Sequence, residues 1–139
     1  MPTTDPTTPA VRWQLRVRYH ECDPQSVVFN AVYYSWADMG SLEFWRASHG
    51  KYQNLLDEGV DMVVVASSGR FHAPATYDDE LDLDTRVTRV GTTSHDLTTT
   101  ITRDGAPIAT LVVTYVMIDL ETGAKTEPPP SVRAALGVG

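Results

Sequence analysis

Cysteine is almost missing from this chain: Cys22 is the single one in 139 residues. One thiol can form no disulfide within the chain and no cysteine metal cluster. Basic charge is also scarce. Eleven Lys and Arg stand against eighteen Asp and Glu, for a formal net charge of -7. No basic run or one-faced arginine cluster offsets this, so nucleic acid is not an expected partner. A small polyanionic ligand stays possible, because screening at physiological salt acts over about 8 Å and a few local arginines count for more than the total. No run of about 18 apolar residues occurs, so no segment is predicted to span a membrane. Met1 to Ala10 lacks the apolar core of a signal peptide, which leaves the cytoplasm as the expected location. His20, His49, His72 and His95 show no metal-ligand spacing, so no metal is expected.

What is present fits one domain of ordinary size, with a 42% hydrophobic fraction. A core this small has little interior to spare for an enclosed site, which points to a site completed by oligomerisation. Residues 1–10, with Pro2, Pro6 and Pro9, read as a disordered arm. Val11, Trp13, Leu15, Val17 and Tyr19 then alternate with polar residues, the period of a half-buried strand. Pro24 and Ser26 break it. Tyr33, Trp36, Ala37, Gly40 and Phe44 fall on one face of a helix predicted over Ala31 to Ser48, with Asn30 as N-cap and Gly50 past the end. At ~1.5 Å per residue it is about 27 Å long, enough to cross a small sheet. Gly40 costs about 1 kcal/mol against alanine in mid-helix, so it marks a close approach to a neighbouring backbone. A short helix near Tyr52 to Glu58 ends at Gly59.

The remainder reads as strands. Met62 to Ala66 is an apolar run, interrupted by Ser67-Ser68-Gly69 and resumed from Arg70 to Ala73. Leu81 to Arg89 alternates, and His95 to Arg103 is rich in threonine, which favours a pleated surface. Asp104-Gly105 signals a hairpin. Ala106 to Ile118 is apolar on both faces and is expected to be central. Glu127-Pro128-Pro129-Pro130 opens a proline-rich tail over 126–139 that would not pair in a sheet, leaving one domain over 11–125. One helix with a strand-rich remainder is an α+β layer arrangement.

The segment Tyr19-His20-Glu21-Cys22-Asp23-Pro24-Gln25-Ser26-Val27-Val28-Phe29-Asn30, followed by Tyr33 and Trp36, resembles the signature of the 4-hydroxybenzoyl-coenzyme A thioesterase family. Phe71-His72-Ala73-Pro74 through Leu81 and the turn Gly91-Thr92-Thr93-Ser94 resemble two further stretches of it, in order. Ser26 stands where the family usually has glycine, and Val32 where it usually has asparagine. The resemblance implies a hotdog fold, one long helix packed on a curved antiparallel sheet of about five strands. It also implies hydrolysis of an acyl-CoA, no cofactor beyond the CoA of the substrate, and a homodimer with joined sheets or a homotetramer.

A thioester carbonyl needs its oxygen polarised and an oxygen nucleophile delivered. Unpaired N–H groups at a helix start do the first, and by resemblance the N–H of Asn30 is the contact. By resemblance too, Asp23 does the second, as general base or as nucleophile. Taken alone, Asp23 before Pro24 is an ordinary turn starter. Cys22 is read as a packed thiol, and His20 with Glu21 as a solvent-facing strand-end pair. The family's pantetheine contact along strand backbone falls on Val63 to Ser67, which nominates Val64, Val65 and Ser67. Arg70 and Arg89 suit phosphate, and Thr93 lies in the turn. The helix offers Asp38 and Glu43 but no histidine, which disfavours a dehydratase. The alternative is a non-catalytic acyl-CoA-binding or regulatory module.

Overall fold

The computed structural model describes residues 8–138. All but the last three residues of the expected N-terminal arm therefore lie outside the described residues. Ala10 already belongs to the first strand. Five strands occur: β1 (Ala10–Arg16), β2 (Val60–Phe71), β3 (Glu80–Val90), β4 (Ser94–Arg103) and β5 (Ala106–Asp119). They form one antiparallel sheet in the order β1-β3-β4-β5-β2. The long helix α1 (Asn30–Ser48) and the short α2 (Gln53–Asp57) lie between β1 and β2, and α3 (Pro130–Ala135) follows β5.

Period-two alternation fixes which face of the sheet is buried. Trp13 pairs with Leu83 and Leu15 with Leu81, so both strands turn their apolar residues to one side. Against that side α1 lays Tyr33, Trp36, Ala37, Gly40 and Phe44, all buried as their helical spacing predicts. A close approach does occur at Gly40, but to side chains and not to the neighbouring backbone that was expected. A Cβ there would overlap the Thr85 hydroxyl and come within 3.2 Å of the Thr99 hydroxyl. Those two hydroxyls hydrogen-bond to each other at 2.8 Å in the buried interface. Gly40→Ala is therefore expected to destabilise the fold, although alanine is the better helix former by about 1 kcal/mol. The short β-branched threonines are stiff at χ1 and give little room, and overpacking typically costs about 1–3 kcal/mol. A lower urea midpoint with an unchanged slope would register it.

Two local expectations change. The break predicted at Ser67-Ser68-Gly69 does not occur: β2 runs on to Phe71, because its whole length pairs with β5. The irregularity is instead a bulge at Val65, where the register skips between Val64 and Ala66. Gly69 is small because Leu111 and the Tyr34 hydroxyl crowd it, within 2.7 and 3.0 Å of where its Cβ would stand. The stretch beyond the prolines, expected as a tail, forms α3 and buries Val132, Ala135 and Leu136 in the core. Asp104 and Gly105 both have positive φ, 51° and 80°, and close the β4–β5 hairpin as predicted. β5 lies inside the sheet, between β4 and β2. No helix among the described residues is long and apolar enough to cross a membrane.

Candidate active site

Asp23 sits at the tip of a tight hairpin. Its N–H donates to the Val27 carbonyl at 2.9 Å, and the Ser26 N–H donates back to the Asp23 carbonyl at 2.9 Å. One carboxylate oxygen of Asp23 accepts the Gln25 N–H at 2.8 Å. That is the turn-forming bond expected of an Asp before a proline. Ser26 has φ 66°. Its position is left-handed, which explains why glycine is usual there and costs a serine about 1–2 kcal/mol. The strand-like legs below the tip join at Cys22 and Val28. At the base the Phe29 N–H donates to the Glu21 carbonyl at 3.0 Å.

That last bond holds Phe29 extended, so Phe29 takes the cap position and Asn30 becomes the first helical residue. The prediction of Asn30 as N-cap is thus shifted by one residue. No side chain caps the helix. Among the described residues no acceptor meets the N–H of Asn30 or Ala31. A helix start with free N–H groups carries partial positive charge. Val32, where the family has asparagine, packs against the core.

Glu21 departs most from its sequence reading. It was expected in solvent beside His20. His20 is exposed, but Glu21 is 5% exposed. One carboxylate oxygen accepts the Arg18 N–H at 2.7 Å. The other accepts the Arg18 guanidinium and the Trp36 indole N–H, each at 2.9 Å. Burial alone would push its carboxyl up, but these donors outweigh burial and hold it below the ordinary range. No strand parity could have found it: β1 ends at Arg16, and Tyr19, of the same parity, is exposed.

The other nominated residues fall into two groups. Val64, Val65, Ser67 and Arg70 lie on β2, which is an edge strand, and all are exposed. Arg70 is near the Phe71 end, where the Phe71 ring meets Tyr33 of α1 at 5.2 Å. The hairpin of Asp23 docks at that same end, since the Val28 N–H donates to the Ala75 carbonyl at 2.9 Å. Thr93 is at the opposite end of the strand. Its carbonyl accepts the Met117 N–H at 2.8 Å, and Met117 pairs with Met62. At about 3.3 Å per residue, the eight steps from Met62 to Arg70 span roughly 26 Å. Within one protomer, then, Asp23, Asn30 and Arg70 lie toward the Phe71 end of β2, while Arg89 and Thr93 lie toward the other. Arg89 is also engaged, with Asp96 at 3.1 Å and Ser94 at 3.0 Å.

A cleft of about 300 Å³ opens between α1 and β2, lined by Asp38, Leu42, Trp45, Met62, Val64 and Tyr115 among others. Tyr34, on the same helix, stands at Gly69 instead. Burial first, and Asp38 second, push the Tyr115 hydroxyl up to about 12, against a lowering bond from Ser41. It is a hydrogen-bonding group there and not an acid at neutral pH. A wider groove of about 720 Å³ beside β1, lined by Arg12, Gln14, Asp82 and Thr100 among others, contains none of the nominated residues. Asp79, in the stretch resembling the family's second motif, accepts Arg103 at 2.7 Å and the Thr76 N–H at 2.8 Å. It braces the loop and is not free for chemistry.

A five-stranded antiparallel sheet curled around one long helix defines the hotdog class of folds. Within that class the chain belongs to the thioesterase-like superfamily, whose family model matches residues 17–136. Over 87 residues it is 34% identical to the acyl-CoA thioester hydrolase YbgC of Escherichia coli, covering 63% of this chain and 65% of that protein. The chain thus matches just under two thirds of that relative. The gentisyl-coenzyme A thioesterase BH1999 superposes with a TM-score of 0.80 at 24% identity, over 88% of this chain and 99% of that one. Slr0204, a 1,4-dihydroxy-2-naphthoyl-CoA thioesterase from Synechocystis, does so with a TM-score of 0.83 at 19% identity, over 92% and 96%. These two likenesses are of fold.

Proposed function

We propose that this protein is an acyl-CoA thioesterase that hydrolyses its substrate to a carboxylic acid and free CoA. One observation carries the reading: a carboxylate on a rigid hairpin directly precedes a helix start whose first N–H groups are uncapped. The thioester oxygen would sit on the N–H of Asn30, where developing negative charge meets the helix dipole. Asp23 would deliver the attacking oxygen, by taking a proton from water or with its own carboxylate. In the first route the water oxygen bonds to the carbonyl carbon, the C–S bond breaks, and the proton held by Asp23 passes to the departing thiolate. In the second the C–S bond breaks as an acyl–Asp23 anhydride forms, and water then cleaves that anhydride to acid and regenerated carboxylate, with its proton going to the thiolate. The hydrolase name of the Escherichia coli relative supports the same reaction class.

Oligomerisation belongs to this reading. Val63, Val64 and Val65 are 40%, 51% and 56% exposed along an unpaired strand edge, the kind of edge that recruits a second strand. Two copies joined antiparallel along β2 would set the Met62 end of one beside the Arg70 end of the other. Arg89 and Thr93 of a second copy would then approach Asp23 and Asn30 of the first, uniting residues that one protomer holds apart. Val64, Val65 and Ser67 would flank the pantetheine arm. The 300 Å³ cleft on the same edge would take an acyl group of modest size. Light scattering is expected to give a dimer or tetramer at micromolar concentration; a monomer with full activity would contradict this arrangement.

The reaction is tested by steady-state release of free thiol from aromatic, short-chain and medium-chain acyl-CoA thioesters. Turnover of at least one is expected. Binding without turnover of any would favour the alternative, a non-catalytic acyl-CoA-binding module.

A further inference from the structure

Glu21 is a buried carboxylate that the proposed reaction does not use, and its partners follow a pattern. Every group it touches belongs to a segment that carries the site. Its carbonyl accepts the Phe29 N–H at 3.0 Å, immediately before the helix start. Its carboxylate closes the turn of Tyr19–Glu21 through the Arg18 N–H at 2.7 Å, two residues ahead of Asp23. The same carboxylate takes the indole N–H of Trp36 at 2.9 Å, on the inner face of α1. Trp36 is 1% exposed and locked edge-on to Tyr33 at 5.1 Å. The carboxylate therefore ties the arm bearing Asp23 to the body of the helix that bears Asn30.

Stability alone would not call for a charge at this place. A buried carboxylate costs several kcal/mol in desolvation, and well-packed apolar groups often do as well or better. What a carboxylate supplies here is geometry. It has two acceptor oxygens and no donor, and three donors converge on it. We infer that Glu21 is a positioning residue, which acts through Trp36 and Arg18 to hold the Asp23 hairpin in register with the N–H groups at the start of α1. The inference rests on the proposed thioesterase reading. A reacting carboxylate displaced by about 1 Å loses on the order of 10²-fold in rate. Binding of the CoA portion, farther from this joint, would be little affected.

Glu21→Gln is nearly isosteric but has one acceptor oxygen for three donors, so its amide N–H₂ must face a donor. Trp36→Phe removes one of those donors and keeps an aromatic ring against Tyr33, at the cost of a small cavity. We expect Glu21→Gln to lower kcat for the best acyl-CoA thioester about 10–100-fold, with KM within about threefold. Trp36→Phe alone should lower kcat about tenfold by the same loss of register. In the Trp36→Phe background, Glu21→Gln should cost clearly less than it does alone, because the tie between the carboxylate and α1 is already gone. All rates are taken well below the thermal midpoint and normalised to the folded fraction by circular dichroism. A purely structural role would lower that midpoint and leave kcat per folded molecule unchanged. A folded Glu21→Gln with kcat within threefold of wild type overturns the inference, as does an additive double variant. If Glu21→Gln does not fold, Trp36→Phe decides: kcat within threefold of wild type overturns the inference, and a tenfold fall at constant KM supports it. Asp23→Asn measured alongside separates the two readings. Full activity in that variant sinks the assignment of Asp23, whereas its loss together with unchanged Glu21 variants sinks only the positioning role.

Discussion

Asp23→Asn is expected to abolish most thioester hydrolysis, lowering kcat by about 10²–10⁴ as typical for loss of a general base. The substitution is informative because the hairpin has little reason to move. The Gln25 N–H bond is accepted by one side-chain oxygen of Asp23, and asparagine presents an equivalent oxygen. The backbone bonds of Asp23 to Val27 and Ser26 do not involve the side chain. What disappears is the charge and the second carboxylate oxygen, the groups that would take a proton or attack the carbonyl. Steady-state kinetics on the best substrate should show the loss in kcat, with KM and the thermal midpoint close to wild type. Wild-type turnover in the variant would remove Asp23 from the chemistry. Label entering the Asp23 carboxyl group in a single turnover in ¹⁸O-water would mark the covalent route.

The protein is also expected to lose about 3 kcal/mol of stability as pH falls from 6.5 to 4, through His95 alone. His95 is 1% exposed, stacked on Tyr115 at 5.4 Å and edge-on to Trp45 at 5.6 Å. Its Nε2 has no partner among the described residues. Burial pushes its pKa down from 6.5 to about 4, partly opposed by Asp96 and aided by Arg89. Between those two values the unfolded chain binds a proton that the folded chain refuses. Stability therefore rises with pH across that window, is complete above 6.5, and is lost as pH falls toward 4. Glu21, Asp79, Asp84 and Asp96, all held below their ordinary values, add to this from about pH 5 downward, where the unfolded carboxylates begin to protonate. Urea unfolding at intervals from pH 7.5 to 4.5 should show the slope. His95→Phe keeps an aromatic ring between Trp45 and Tyr115 and carries no proton, so it should flatten the curve. An equal slope in wild type and variant would remove His95 as its source.

Periodicity made most of the fold readable. Each strand with one buried face declared itself by alternation, and α1 by five apolar or small residues at helical spacing. Gly40 was legible as a close contact because nothing local rewards a glycine in mid-helix. Where the pattern misled, pairing or packing overrode local chemistry. Ser67-Ser68-Gly69 reads as a turn, but hydrogen bonds to β5 keep it extended. The triproline reads as the start of a tail, but a helix beyond it finds an apolar seat for Val132 and Leu136. Glu21 looked solvated because an isolated carboxylate belongs in water. Only the convergence of three donors, from residue 18 and from residue 36, makes its burial tolerable.

Asp23 and Asn30 show the same division. Their sequence spacing and the hairpin between them are local, so the residues of the turn and the start of the helix were legible without coordinates. The placement of Arg70 toward the same end of β2 as the hairpin, and of Arg89 and Thr93 toward the far end, was not. Sheet order decided it: β2 pairs at the edge with β5, and a strand of 12 residues separates its two ends by far more than a hydrogen bond can reach. By itself the sequence determined which segments turn, coil or extend and which faces are apolar, because those depend on neighbours within a few residues. Only the tertiary structure decided which edge stays open, which carboxylate is buried, and which candidates meet. Those depend on contacts between residues far apart in the chain, whose energies no local pattern encodes.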